Sequence, residues 1–275
     1  MTAVHRPNAV DASAAKLRCK QYRRRILEIS QQVGALHIAS AFSCTEIVDA
    51  CYNELMRPNA DGTSPDTFVM SKGHGCMIQY VILEEKGILT RQDMDTYCKA
   101  GGRLGCHPDY GNPGIEASTG ALGHGLSMAM GMAYVEKIRN TGNRVFCVLG
   151  DGELQEGSTW EAVLQASSLG VSGLVAFVDN NDFQSLGRTS ETHPTFYPVL
   201  DKFRAFGWDA AEVDGHDTKA VVEAVLGRSG DRPLVVNCKT TKGRGVSYME
   251  NVPIWHYRSP SPEEYTRALT EIEGA

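Results

Sequence analysis

From Gly142 onward the chain repeats one rhythm that leaves few folds open. A short aliphatic run ends in a polar, turn-forming segment, and a helix-length stretch follows. VFCVL (145–149) runs into GDGELQEGSTWEAVLQASSLG, a turn and then a helical pattern. LVAFV (174–178) ends in DNN, WDAAEV (208–213) ends in DGHD, and LVVNC (234–238) ends in KTTKGRG. Helical DTKAVVEAVLG separates the last two. Strands alternating with helices predict an α/β fold: a parallel β-sheet flanked by helices on both faces. The first half fits the same plan. It holds a helical pattern from about Ser13 to Gln32, a second in CTEIVDACYNEL after Ser43, a short strand in DTFVM (66–70) and helical MIQYVILEEKG ending at Gly87. The stretch from Gly101 to Gly125 is too rich in glycine, with two prolines, for a regular element; a loop that long usually carries function. GLSMAMGMAYVEKI then resumes helical character. With no internal repeat or low-complexity linker, residues 1–275 are expected to form a single domain with a substantial core.

Composition narrows the function classes. The 27 Lys+Arg against 33 Asp+Glu give a net charge of −6, without the basic excess that nucleic-acid binding needs. One basic run, Lys16, Arg18, Lys20 and Arg23 to Arg25, interleaves with Tyr22, Ile26, Ile29 and Val33 at helical spacing and reads as a solvated helix face. No stretch approaches the roughly 20 apolar residues of a membrane span, and the first residues lack the order of a secretory signal. The eight cysteines include no C-x-x-C pair, and Cys147 and Cys238 lie in apolar segments where a buried thiol acts as a small hydrophobe. A reduced, cytoplasmic protein is expected, binding neither nucleic acid nor membrane.

In a parallel sheet the residues just after each strand gather along one edge, where such sheets bind ligands. SKGHG, GDGE, DNND, DGHD and KTTKGRG all fall there. Asp151 and Asn181 lie about one strand–helix–strand unit apart, so a carboxylate and an amide oxygen can reach a common point. That pair is a partial shell for Mg2+, which completes its six oxygens from phosphate and water. Gly150 and Gly152 let backbone approach a diphosphate, and the following helix offers its first N–H groups to anionic oxygens. Gly-Asp-Gly and Asp-Asn-Asn are common turn formers singly; their joint placement after strands is what points to a ligand. His37, His74, His107 and His256 lie in loops without the short spacing of a zinc site, and suit hydrogen bonds to sugar hydroxyls and proton transfer near pH 7.

At these residues the sequence resembles a known family. GDGELQEGSTWEA followed by LVAFVDNNDFQ matches the thiamine diphosphate signature. With SKGHG, GCHPDYGNPGIEASTGALGHGLSMAMGMA, CKTTKGRGVSYMENVPIWH and His37 in GALHIAS, the chain from about Lys16 to Tyr257 resembles the diphosphate-binding half of a transketolase. The resemblance implies the thiamine diphosphate-binding fold, with Asp151, Asn181 and the carbonyl of Phe183 holding Mg2+, or Ca2+ or Mn2+ in its place. It implies cofactor contacts from His74, Gly150, Gly152, Glu153 and His256, with backbone around Gly120 and Leu122 flanking the aminopyrimidine. Glu156 matches an acidic position that links the two halves of the site. His37, His107 and His256 would line the substrate channel and assist proton transfers.

The implied reaction moves a two-carbon ketol unit from a ketose donor to an aldehyde acceptor. Family members are usually more than twice as long and carry a pyrimidine-binding domain with an activating glutamate. The resemblance therefore implies a separate subunit supplying that half, an α2β2 assembly, sugar or sugar-phosphate substrates, and no activity alone. Leu36-His37-Ile38-Ala39 stands where the family reads Gly-His-Pro-Gly or Gly-His-Ile-Gly, and His124 where glutamine is common, which points to an unusual ketose or acyl donor in a specialised pathway. Two other readings compete. The α-subunit of a 2-oxo acid dehydrogenase shares GDG…NN but not the imidazole-rich set. A cofactor-binding scaffold without catalysis would leave those histidines without a task.

Overall fold

The apolar runs form five parallel strands in a computed structural model that describes residues 10–34, 36–59, 63–185 and 187–274. β1 spans Thr67–Met70, β2 Val145–Gly150, β3 Leu174–Asn180, β4 Asp209–Asp214 and β5 Leu234–Lys239. Their order across the sheet is β1-β2-β3-β5-β4, with every neighbouring pair parallel. Successive side chains point to opposite faces. Phe146 and Val148 of β2 join one core, and Val145, Cys147 and Leu149 join another across the sheet. Burial on both faces is why the inner strands read as unbroken apolar runs. On β4, at the sheet edge, the residues are half-buried or exposed.

Before β1 lie α1 (Ala12–Ser30), α2 (Ile38–Ser43) and α3 (Thr45–Asp49); after it come α4 (Cys76–Glu85) and α5 (Arg91–Asp95). α6 (Gly125–Arg139) leads into β2, and α7 (Gly157–Ser168) joins β2 to β3. Short α8 (Thr189–Thr192) and α9 (Val199–Ala205) precede β4, α10 (Thr218–Leu226) joins β4 to β5, and α11 (Pro262–Gly274) comes last. α1, α4, α10 and α11 cover one face, α6, α7 and α9 the other. Among the described residues no helix is long and apolar enough to cross a membrane. All eight cysteines are free thiols, six of them buried.

Two sequence expectations need correction. The helix expected after Ser43 is present from Thr45 to Leu55 but is not α-helical throughout. The chain breaks at Cys44, resumes as α3, and widens into a π-helical turn over Ala50–Leu55. The basic run is not simply a solvated face. Arg23 is buried and forms a two-pronged ion pair with Glu46 at 2.6 and 2.8 Å. Arg18 reaches Asp49 and Glu54, and Arg25 reaches Glu84. Long guanidinium stems on the flank of α1 extend to carboxylates on the neighbouring helices, so these arginines dock the helix. Lys16 and Arg24 remain exposed.

Candidate active site

β2 and β3 are paired with Gly150 opposite Asp179, which brings Asp151 and Asn181 together just past the strand ends. Asp151 Oδ1 accepts from the Gly152 N–H at 2.8 Å, and Oδ2 accepts from the Asp182 N–H at 2.6 Å and the Thr189 hydroxyl at 3.1 Å. The amide of Asn181 is oriented from behind: its Nδ2 donates to Ser43 Oγ at 2.9 Å and to Asp179 at 3.2 Å. Its Oδ1 therefore faces forward and accepts from the Phe183 N–H at 2.9 Å. Burial, with the nearby Asp179 charge, pushes the Asp151 carboxyl up to about 7. A buried carboxylate penalised in this way, beside an aimed amide oxygen and the Phe183 peptide, is a donor set that suits a hard divalent cation. There is room for an anion beside it. A Cβ built on Gly150 would meet nothing nearer than Lys72 Cβ at 3.8 Å. Thiamine diphosphate with Mg2+ therefore fits the residues present.

Four of the eight histidines, far apart in sequence, meet at the same edge. The His37 ring lies 5.4 Å from His74, 5.8 Å from His107 and 5.4 Å from His256, and His74 lies 5.5 Å from His256. Burial first, then the neighbouring cations, lowers His37 to about 4, His256 to about 3 and His74 well below its usual range. These three imidazoles are neutral at pH 7, so each offers one donor and one acceptor. His37 Nδ1 is buried without a partner among the described residues. The His107 carbonyl is fixed by the Tyr80 hydroxyl at 2.9 Å, and its ring packs on Gly120. Gly120 has φ +131, and a Cβ there would come within 2.7 Å of the His107 ring, so only glycine fits.

Sequence reasoning missed the lysines. Lys242 is buried; its Nζ lies 2.8 Å from His256 Nδ1 and donates to the Gln184 carbonyl at 3.1 Å. A donor on Nδ1 places the ring proton of His256 on Nε2. Burial and nearby Lys72 push Lys242 down to about 8. Lys72, also buried, pairs with Asp179 and donates to the Ser40 carbonyl at 3.1 Å. Both lysines follow strand ends, so the edge rule that selected Asp151 could have selected them. Gln184 joins the two parts of the site. Its Cβ lies 3.1 Å from where a Cβ on Gly152 would stand, and its carbonyl takes Lys242.

Other sequence-selected residues stand further back. The Glu153 carboxylate accepts from Ser71 at 2.5 Å, from the Gly123 N–H at 2.9 Å and from the Gly150 N–H at 3.3 Å. It ties three loops together from inside the protein. Glu156 is exposed ahead of α7, Leu122 is half-buried, and His124 is exposed.

Residues 16–257 match the family described as "Transketolase, thiamine diphosphate binding domain". The chain belongs to this family. Among curated relatives of this transketolase-family chain is an apulose-4-phosphate transketolase subunit from Phocaeicola vulgatus, 37% identical over 262 residues, covering 94% of this chain and 93% of the relative. The 6-deoxy-6-sulfo-D-fructose transketolase subunit SqwG of a Clostridium species is 35% identical, with 91% and 93% covered. Human transketolase is 34% identical over 98% of this chain but only 44% of its own length. The transketolase structure from Leishmania mexicana superposes with a TM-score of 0.85 at 27% identity, covering 94% of this chain and 41% of that one. The chain thus spans nearly all of the subunit-type relatives and about two-fifths of the longer transketolases.

Proposed function

We propose that this chain is the diphosphate-binding subunit of a two-chain transketolase that moves a two-carbon ketol unit from a ketose to an aldehyde. The observation that carries the reading is the meeting of four imidazoles beside the Asp151–Asn181 pair. Asp151, Asn181 and the Phe183 carbonyl would hold Mg2+, or Ca2+ or Mn2+ in its place. His74, Gly150 and Gly152 would face the diphosphate, with Gly120 and Leu122 beside the aminopyrimidine. When bound, thiamine diphosphate supplies the electron sink that carbon–carbon cleavage next to a carbonyl requires. The chain's own part is to orient and to move protons. His37, His107 and His256 would hydrogen-bond the sugar hydroxyls, and His256, with its proton set on Nε2 by Lys242, would donate there. Glu153 holds the loops around the site in register, and exposed Glu156 is placed to meet a second polypeptide.

A separate pyrimidine-binding subunit completes the site in this reading, as an α2β2 assembly. Two relatives carry "subunit" in their names, and α6 leaves Val135 and Ile138 exposed. The relatives' names specify a phosphorylated and a sulfonated sugar, which supports a ketose bearing a strong anion as the substrate class here. Two cores packed on one sheet support reading residues 1–275 as one domain, and eight free thiols suit the cytoplasm. Co-purification with its companion chain, followed by ketol-transfer and 2-oxo acid oxidation assays, tests the proposal. Transfer by the pair and not by this chain alone is expected. Oxidation of a 2-oxo acid, or no turnover, would overturn it.

A further inference from the structure

The short helical turn Pro253–Tyr257 ends the segment that carries His256, and its last residue is used by nothing above. Its backbone is fixed on both sides. Trp255 is buried, and its N–H donates to the Val252 carbonyl at 3.1 Å. The next residue, Arg258, donates its N–H to the Leu36 carbonyl at 3.2 Å, lays its guanidinium 4.3 Å from the Trp255 ring centre and pairs with Glu264. The Tyr257 ring between these anchors is nevertheless 53% exposed. It stands 4.5 Å from the His37 ring, tilted by 42°, on the side of the site where the imidazoles gather. Its hydroxyl has no hydrogen-bond partner among the described residues. An aromatic ring on a fixed backbone, wet on one face and packed beside a channel histidine, is a surface suited to the carbon-bound hydrogens of a ligand.

We propose that Tyr257 is a specificity-determining residue, its ring packing against the C–H face of the ketose donor beside His37. This rests on the ketol-transfer reading. The ring discriminates donors by the length and stereochemistry of the carbon chain that lies on it. The hydroxyl contributes less, because nothing in the chain holds it in one direction.

The test uses the complex of this chain with its companion, as wild type, Tyr257→Phe and Tyr257→Ala, and ketose phosphates of five, six and seven carbons as donors. Tyr257→Ala is expected to change the ratio of kcat/KM between donors by about tenfold or more, within the range a small apolar contact gives. Tyr257→Phe is expected to keep the wild-type ratio, and all three proteins to bind thiamine diphosphate equally in a fluorescence titration. If Tyr257→Ala lowers every donor by one common factor, or changes none, Tyr257 does not select. If Tyr257→Ala no longer assembles with its companion by size-exclusion mass, the ring is an interface residue and the proposal is wrong. A wild-type complex that transfers from no donor would overturn the ketol-transfer reading itself, and the role of Tyr257 with it.

Discussion

The two ends of the site are built in opposite ways. Around Asp151 and Asn181 the polar groups are closely paired within the protein. The carboxylate takes three donors, and the Asn181 amide is gripped from Ser43, Asp179 and the Phe183 peptide. Around His37 and His256 the rings are half-buried, uncharged and thinly bonded, with Lys242 touching one and His37 Nδ1 touching nothing among the described residues. A saturated cradle keeps its shape without ligand and so favours binding. Neutral imidazoles with spare donors and acceptors favour a polyhydroxylated substrate that changes during reaction. One end holds and the other works.

That division can be broken by mutation, and the largest effect is expected at the holding end. Asp151→Asn keeps the size of the side chain but removes its charge. Thiamine diphosphate affinity in the presence of Mg2+ should fall by about a hundredfold or more, as loss of a charged ligand to a dication implies. A fluorescence titration of the complex measures it, and unchanged affinity would remove Asp151 from the metal set. At the working end, His107→Ala should lower kcat/KM by about 10²-fold, the scale of a lost proton-transfer or orienting group. Steady-state kinetics at saturating cofactor checks this.

Two stability effects sharpen the comparison. Glu153→Ala strands the donors of Ser71, Gly123 and Gly150, and should cost about 2–4 kcal/mol, with cofactor binding weakened because the loops lose register. Chemical denaturation gives the figure; a loss below about 1 kcal/mol would mean that the framework does not depend on this carboxylate. The smallest effect is with pH. His37 and His256 stay neutral in the folded chain down to about pH 4 and 3, whereas the unfolded chain protonates them below its ordinary value of about 6.5. Between those limits the unfolded state binds more protons, so these rings take stability away as pH falls from 6.5 toward 4. His37→Gln with His256→Gln should therefore lose less Tm between pH 7 and pH 5 than wild type, by roughly a few degrees. Parallel curves for the two proteins would contradict the neutral assignment.

The strands were legible because burial on both faces forces unbroken apolar runs. WDAAEV is read one residue early because Trp208 is buried just before β4 begins. The broken helix over residues 38–55 carries no glycine or proline to mark its breaks, and nearly every residue in α2 and α3 is buried, so periodicity has no polar face to show. Asp151 and Asn181 were legible because each follows a strand and β2 pairs with β3. The meeting of the histidines was not a matter of spacing. Residues 37, 74, 107 and 256 converge through the strand order and the glycine contacts at 73 and 120, which no local pattern encodes. Lys72 and Lys242 escaped because a lysine in a polar loop ordinarily points to solvent. Here Asp179 holds the first and His256 and Gln184 the second, which keeps both inside.

The division between a holding end and a working end is tested most directly by the dissociation constant of thiamine diphosphate in a complex carrying both His37→Ala and His107→Ala, measured with Mg2+ beside its turnover. The account expects a constant within about threefold of wild type while kcat/KM falls by at least about a hundredfold. A cofactor affinity that collapses together with turnover would contradict it, because the histidines would then belong to the cradle.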